Sequence, residues 1–342
     1  MNQKFTESSW AIFGGLRFTL AITVMVCHLI WFAPIPKALT PVLSLGGKAA
    51  VLSFLLISGV SIGYSFITQP DGYFKRRFLR IYPLYFASLV FTEIITLLLG
   101  SPYKSPGGLI FSDSGWQTPV ANLFFMQGIF ANTISYNNPL WSLSPEVLYY
   151  LIVPLLVRMR TEALLILFLI SILAFAFYPM GWYFGYSALR YLWPWLIGFI
   201  YATENQSKLT VVLLTSGLGI IIFIGSDAST PLSWLTFSVT AVSLFIVSRS
   251  YFQLPNLCRV VLNFLGNLSY PIYLFHIPLL LFWSHYFDIR NPWLLLFFVV
   301  LSTIPINYIF DNWLKAIFWK PLVSKIGSTK RYVSFAQQSI IK

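Results

Sequence analysis

Arg17 and His28 lie within "GGLRFTLAITVMVCHL", an otherwise apolar stretch running from Gly14 to Leu29. Arginine brings a permanent cation with a fork of donors suited to phosphate or carboxylate, and histidine brings a ring that takes and releases a proton near neutral pH. Each ionisable group in hydrocarbon costs roughly 2.5 kcal/mol or more, so such a pair marks a functional site with partners. On a helix the eleven-residue spacing is almost three turns, and both side chains share one face about 16 Å apart. Cys27 is no nucleophile for this histidine, because adjacent helical residues point about 100° apart.

Further chemistry-bearing residues fall in four other segments. "NPLWSLSPEVLYYLIVPLL" reads as a helix start, with Ser144 as N-cap, Pro145 as first residue and Glu146 as second. Either Glu146 holds the His28 imidazole and makes it a better general base, or His28 only hydrogen-bonds a backbone carbonyl and Glu146 merely favours the helix dipole. In "FKRRFLRIYPLY", Arg77 and Arg80 share a helix face; they suit either lipid headgroups or a bidentate phosphate clamp. "FLLISGVSIGYSF" carries Ser58, Gly59, Ser61 and Gly63, which serve close helix packing or a polar site. "NLSYPIYLFHIPLL" carries Ser269, Tyr270, Tyr273 and His276 between two helix-loosening prolines, as a cavity lining or as interhelical hydrogen bonding. Arg190 and Glu93 are second-rank candidates that could pair with each other or with Glu146.

The elements that must position these residues are membrane helices. The chain of 342 residues is 57% hydrophobic, 18% aromatic and only 9% charged, against about 25% charged in soluble domains. This composition excludes an ordinary soluble domain. The net charge of +12 reflects basic loops between apolar runs rather than a nucleic-acid surface. Two cysteines, Cys27 and Cys258, give neither a disulfide framework nor a metal-ligand pattern, so no metal is expected. The first span is too long, and too interrupted by Arg17, for a typical cleavable signal.

Runs long enough to cross a bilayer occupy ten segments, approximately 10–32, 47–67, 79–99, 141–158, 163–179, 182–202, 209–226, 231–248, 268–285 and 293–317. Proline and glycine punctuate their ends, as at Pro34, Pro70, Gly100, Pro179 and Pro292. The expected fold is therefore all-α, a polytopic bundle of about ten transmembrane helices without internal repeats, occupying 1–320, with a short basic cytoplasmic tail at 321–342.

Charge asymmetry predicts cytoplasmic termini. This places Lys75, Arg76, Arg77, Arg80, Arg158, Arg160, Lys208, Arg249, Arg259, Lys320, Lys325, Lys330 and Arg331 inside, and Lys37, Lys48, Lys104 and Arg290 outside. Arg17 then sits in the inner half of the first span and His28 about one turn from its outer end. Glu146 falls at the outer start of the fourth span, where it is expected to approach His28. The outer segment 100–140 includes "ANLFFMQGIF", too short to cross and so expected to be re-entrant or interfacial.

Five segments in order, "LRFTLAITVMVCH", "FLLISGVSIGY", "RRFLRIYPLY", "WSLSPEVLYYLIVP" and "LGNLSYPIYLFHIP", together resemble the acyltransferase 3 family, integral membrane enzymes that O-acylate glycans and other extracytoplasmic acceptors. The resemblance runs from the first span to the ninth. It implies that Arg17 and His28 form the family's arginine, ten residues, histidine motif, with His28 catalytic. It likewise maps the paired arginines onto Arg77 and Arg80, and the glutamate after the tryptophan onto Glu146. Pro145 departs from the aliphatic residue frequent before that glutamate. The extra periplasmic esterase-like domain of some members is not expected here.

The implied reaction takes an acyl group, with acetyl the base-rate choice, from cytoplasmic acetyl-CoA or another acyl-CoA to a glycan or lipid-linked saccharide, across the bacterial cytoplasmic membrane. O-antigen, capsule and exopolysaccharide are the acceptor classes considered. Arg77 and Arg80, with Arg17, would hold the nucleotide phosphates, and the pantetheine arm would run along the first helix toward His28, oriented by Glu146. Ser58, Arg190, Tyr270, Tyr273 and His276 are the substrate-contact or oxyanion candidates. Membrane lipids are the expected surroundings, nucleic acid is not an expected partner, and the sequence carries no signal for an oligomeric state. The rival class is a transporter or flippase of a lipid-linked or anionic substrate; it predicts matching repeats and broken helices in two halves, which the sequence lacks.

Overall fold

The computed structural model describes residues 5–113, 115–177, 186–204, 207–223, 230–247 and 253–324. Pro179, Arg249, Lys325, Lys330, Arg331 and the tail beyond 324 lie outside the described residues. The described chain folds as helices α1 (Glu7–His28), α2 (Gly47–Thr68), α3 (Tyr73–Leu99), α4 (Leu143–Leu156), α5 (Thr161–Phe177), α6 (Leu192–Glu204), α7 (Ser207–Phe223), α8 (Ser233–Val247), α9 (Asn256–Tyr286) and α10 (Pro292–Ile306). A π-helical stretch, Asn307–Trp319, continues α10. A two-stranded hairpin pairs Tyr103 with Phe111 and Lys104 with Ile110.

Among the described residues, six helical segments are long and apolar enough to cross a bilayer: Glu7–Trp31, Gly47–Thr68, Tyr73–Leu99, Ser135–Leu156, Asn256–Tyr286 and Pro292–Ser324. Four shorter apolar helices, at Thr161–Phe177, Leu192–Thr203, Lys208–Ile222 and Ser233–Val247, coincide with the remaining expected spans. The protein is a multi-pass helical membrane protein. The sixth expected span is divided, because Pro194 has no N–H for the Arg190 carbonyl, and helix Tyr186–Arg190 ends before α6 begins.

Two corrections bear on the site. The fourth span does not begin at 141: a 3₁₀ segment, Ser135–Ser142, feeds directly into α4, and the combined span starts at Ser135. Glu146 therefore lies near the middle of that span instead of at its end. Ser144 is not the N-cap either; Ser142 occupies that position without a side-chain cap bond, and the Ser144 hydroxyl donates to the Phe125 carbonyl at 2.6 Å. Phe125 belongs to "ANLFFMQGIF", and its ring stacks on Tyr85 in the middle of α3 with centroids 4.2 Å apart. This segment thus packs against the bundle through Phe125.

Two close helix crossings set the framework. α1 and α9 meet at Gly14 and Gly266, where a β-carbon on Gly266 would stand 2.6 Å from the Gly14 Cα. α2 and α6 meet at Gly59 and Gly198, whose β-carbons would fall 2.0 Å from the Trp195 carbonyl oxygen and 2.1 Å from that of Leu56. Small residues allow such backbone approach where lipid offers no hydrophobic drive for association. Gly59→Ala or Gly198→Ala should accordingly cost about 1–3 kcal/mol through overpacking, read as a lower melting temperature of the detergent-solubilised protein. Gly219→Ala, where nothing lies within 4 Å, should leave it unlowered or slightly raised, since alanine is the better helix former; equal losses at all three positions would refute the crossing as the cause.

Candidate functional site

α1 and α9 run in parallel from their glycine contact, and the site occupies the seam between them. Near the start of the seam the Glu7 carboxylate pairs with Arg259 at 2.9 Å. Farther along, Arg17 of α1 faces a cavity of about 130 Å³ that Ser269, Tyr270 and Tyr273 of α9 also line. α2 contributes Ser58, α3 contributes Arg77 and Arg80, and α4 contributes Glu146 and Tyr150. Three guanidinium cations and one carboxylate thus share one space. Arg77 donates to Ser65 Oγ at 2.9 Å, yet the buried Nε atoms of Arg17 and Arg77 have no acceptor among the described residues. Unpartnered buried donors on cations have the chemistry to receive an anion.

Glu146 belongs to this cavity. It accepts from Ser58 Oγ at 2.7 Å and from the Tyr150 hydroxyl. The expected His28–Glu146 pair is not formed among the described hydrogen bonds. His28 Nδ1 lies 3.0 Å from Nε2 of His276, and neither histidine is among the residues lining the cavity. The physical reason is the depth of Glu146: the 3₁₀ lead-in carries it past the histidine level to the level of the arginines.

α1 is continuous from Glu7 to His28, so Arg17 and His28 stay about 16 Å apart along it. His28 is its last residue and is partly exposed, whereas His276 is 0% exposed. Trp31 lies beside the His28 ring, with centroids 4.8 Å apart. The hairpin loop closes over this end, Gly107 N–H donating to the Trp31 carbonyl at 2.8 Å.

The other expected contact residues divide. Ser58, Tyr270 and Tyr273 line the cavity, but their hydroxyl protons are already committed: Ser58 to Glu146, Tyr270 to the Ile81 carbonyl at 3.1 Å, and Tyr273 to the Pro139 carbonyl at 2.9 Å. Arg190 is buried over the rings of Phe175 and Tyr191, with its guanidinium carbon 5.4 and 5.6 Å from their centroids, and does not line the cavity. Glu93 lies with Asp113 in a separate small pocket. His276 is enclosed, so it touches His28 instead of cavity contents.

Asn137 was not among the sequence candidates. Pro278 deprives the Leu274 carbonyl of its helical donor, and the buried Asn137 Nδ2 supplies one at 2.9 Å while also reaching Thr92 Oγ at 3.1 Å. The signal was available, since a proline within a buried helix demands a donor from elsewhere. Asn137→Leu should remove that donor and cost about 1–3 kcal/mol, seen as a lower melting temperature; an unchanged melt would show that the carbonyl is satisfied otherwise.

With this geometry established, comparison with known proteins gives the class. The family profile described as an acyltransferase domain, that of the acyltransferase 3 family, matches residues 10–311, and the chain belongs to that family. It is 33% identical over 155 residues to the acyltransferase MdmB of Streptomyces mycarofaciens, a match covering 42% of this chain and 38% of that protein. It is 24% identical over 306 residues to the membrane-bound transacylase BcsY of Komagataeibacter xylinus, covering 81% of this chain and 74% of that protein. No solved structure matches the chain.

Proposed function

We propose that the protein transfers an acyl group, most simply acetyl, from cytoplasmic acyl-CoA to a hydroxyl of an extracytoplasmic or lipid-linked glycan. In this reading it spans the bacterial cytoplasmic membrane with its N-terminus inside. Membership in the acyltransferase 3 family supports the reaction class. The observation that carries the reading is the convergence of Arg17, Arg77 and Arg80 on one cavity in which two guanidinium Nε atoms lack acceptors among the described residues. Such donors fit the phosphates of a coenzyme A ester. Glu146, held by Ser58 and Tyr150, is then the countercharge that keeps the cations arranged within an apolar bundle.

The bound thioester supplies the acyl carbon, whose new C–O bond to the acceptor forms as its C–S bond breaks. His28 accepts the hydroxyl proton during attack and returns it to the departing thiolate. The roughly 16 Å of α1 between Arg17 and His28 separates phosphate binding from proton transfer, so one end of the site can serve a soluble donor and the other a surface acceptor.

His28→Ala should abolish transfer while donor binding persists. Arg77→Ala combined with Arg80→Ala should lose donor binding. The checks are calorimetry with acetyl-CoA and its longer homologues, and mass spectrometry of surface glycans from strains with each variant. Normal glycan acylation by His28→Ala, or unchanged donor affinity in the double variant, would overturn the respective assignment. Movement of a lipid-linked saccharide across proteoliposomes without any acyl transfer would favour the transporter class.

A further inference from the structure

We propose that His276 is a positioning residue that fixes the tautomer of His28, so that His28 presents an unprotonated Nε2 as the base. The inference rests on the reading of His28 as the proton acceptor, and it assigns to a second imidazole the part expected of Glu146.

The hydrogen-bond directions follow from what each atom can do. His276 Nδ1 lies 3.1 Å from the Ile272 carbonyl oxygen and 2.8 Å from that of Tyr273. Carbonyl oxygens only accept, so this nitrogen carries a proton. In a neutral ring the other nitrogen, Nε2, then holds a lone pair, and it lies 3.0 Å from His28 Nδ1. His28 must be the donor in that contact. Its own Nδ1 is protonated, and the lone pair is left on Nε2. Among the described hydrogen bonds no carboxylate reaches either ring, Glu146 being held by Ser58 and Tyr150, so no countercharge is bonded to the pair.

The surroundings suit the two roles. His276 is fully enclosed, anchored by backbone one turn earlier on α9, and meets no cavity content. His28 is partly exposed. When its Nε2 takes the acceptor's proton, the resulting imidazolium still donates Nδ1–H to His276 Nε2, which spreads the charge without a carboxylate. Transfer of the Nε2 proton to the leaving thiolate restores both rings. A second histidine thus does for tautomer and orientation what a carboxylate does in other histidine-based sites.

The chain has three histidines, His28, His276 and His285, which suits selective ¹⁵N-histidine labelling of the full chain in nanodiscs. Long-range ¹⁵N–¹H spectra, assigned with His285→Gln, should show both His28 and His276 as Nδ1–H tautomers. His276→Gln places an amide oxygen where Nε2 was and should keep the His28 tautomer and most of the turnover. His276→Met offers no such acceptor; it should release His28 from the Nδ1–H form and lower kcat about 100-fold or more, with acyl-CoA affinity unchanged. A wild-type His28 in the Nε2–H form would overturn the proposal. So would an unaltered tautomer and kcat in His276→Met or, if that variant does not fold, loss of the Nδ1–H form in His276→Gln. The expected tautomers in a protein that transfers no acyl group would sustain the positioning role and refute the acyltransferase reading instead.

Discussion

The contact between the backbones of Gly14 and Gly266 is the constraint on which the site depends. Because neither helix carries a β-carbon there, α1 and α9 come together early and then run in parallel. Arg17 follows Gly14 by about one turn, and Ser269 and Tyr270 follow Gly266 by the same interval. The seam widens there into the cavity, and it closes again at the hydrogen bond between His28 and His276. The arginine end and the histidine end of the seam are thus fixed by a single helix pair.

The other helices bring charge and satisfy backbone. α3 delivers Arg77 and Arg80, and α2, locked to α6 through Gly59 and Gly198, delivers Ser58 to Glu146. Prolines within α9 loosen it where Tyr273 and His276 must face different neighbours. The cost of Pro278 is met by Asn137, whose amide satisfies the carbonyl which that proline leaves unpaired. A buried amide outside the cavity lining is therefore part of what shapes the site. Polar groups at membrane depth are expensive unless each has a partner, which is why the network reaches from the arginines to the 3₁₀ segment.

Separation of Glu146 from His28 changes the electrostatic logic. Three arginines in an apolar bundle repel one another, and a carboxylate among them offsets part of that repulsion. At the histidine end the pair carries no neighbouring carboxylate among the described hydrogen bonds, so direction is set by carbonyl oxygens that can only accept. One end of the seam is organised by formal charge and the other by tautomer. This division suits a site that holds an anion at one level and moves a proton at another.

Much of this was legible in the residues themselves. Hydropathy gave the apolar segments, helical spacing placed Arg17 and His28 on one face, and the i, i+3 spacing placed Arg77 beside Arg80. These follow from local periodicity and from the cost of burying charge, which no distant contact can alter. The partner of each polar group was a different matter. The residues pointed to Glu146 as the neighbour of His28 and to His276 as a cavity or substrate-contact residue, and the depth of the fourth span, set by a 3₁₀ lead-in of low hydropathy, withdrew Glu146 from that place. Hydrogen-bond partners lie at separations such as the 248 residues between His28 and His276, and helix packing alone decides which of several suitable side chains comes within 3 Å.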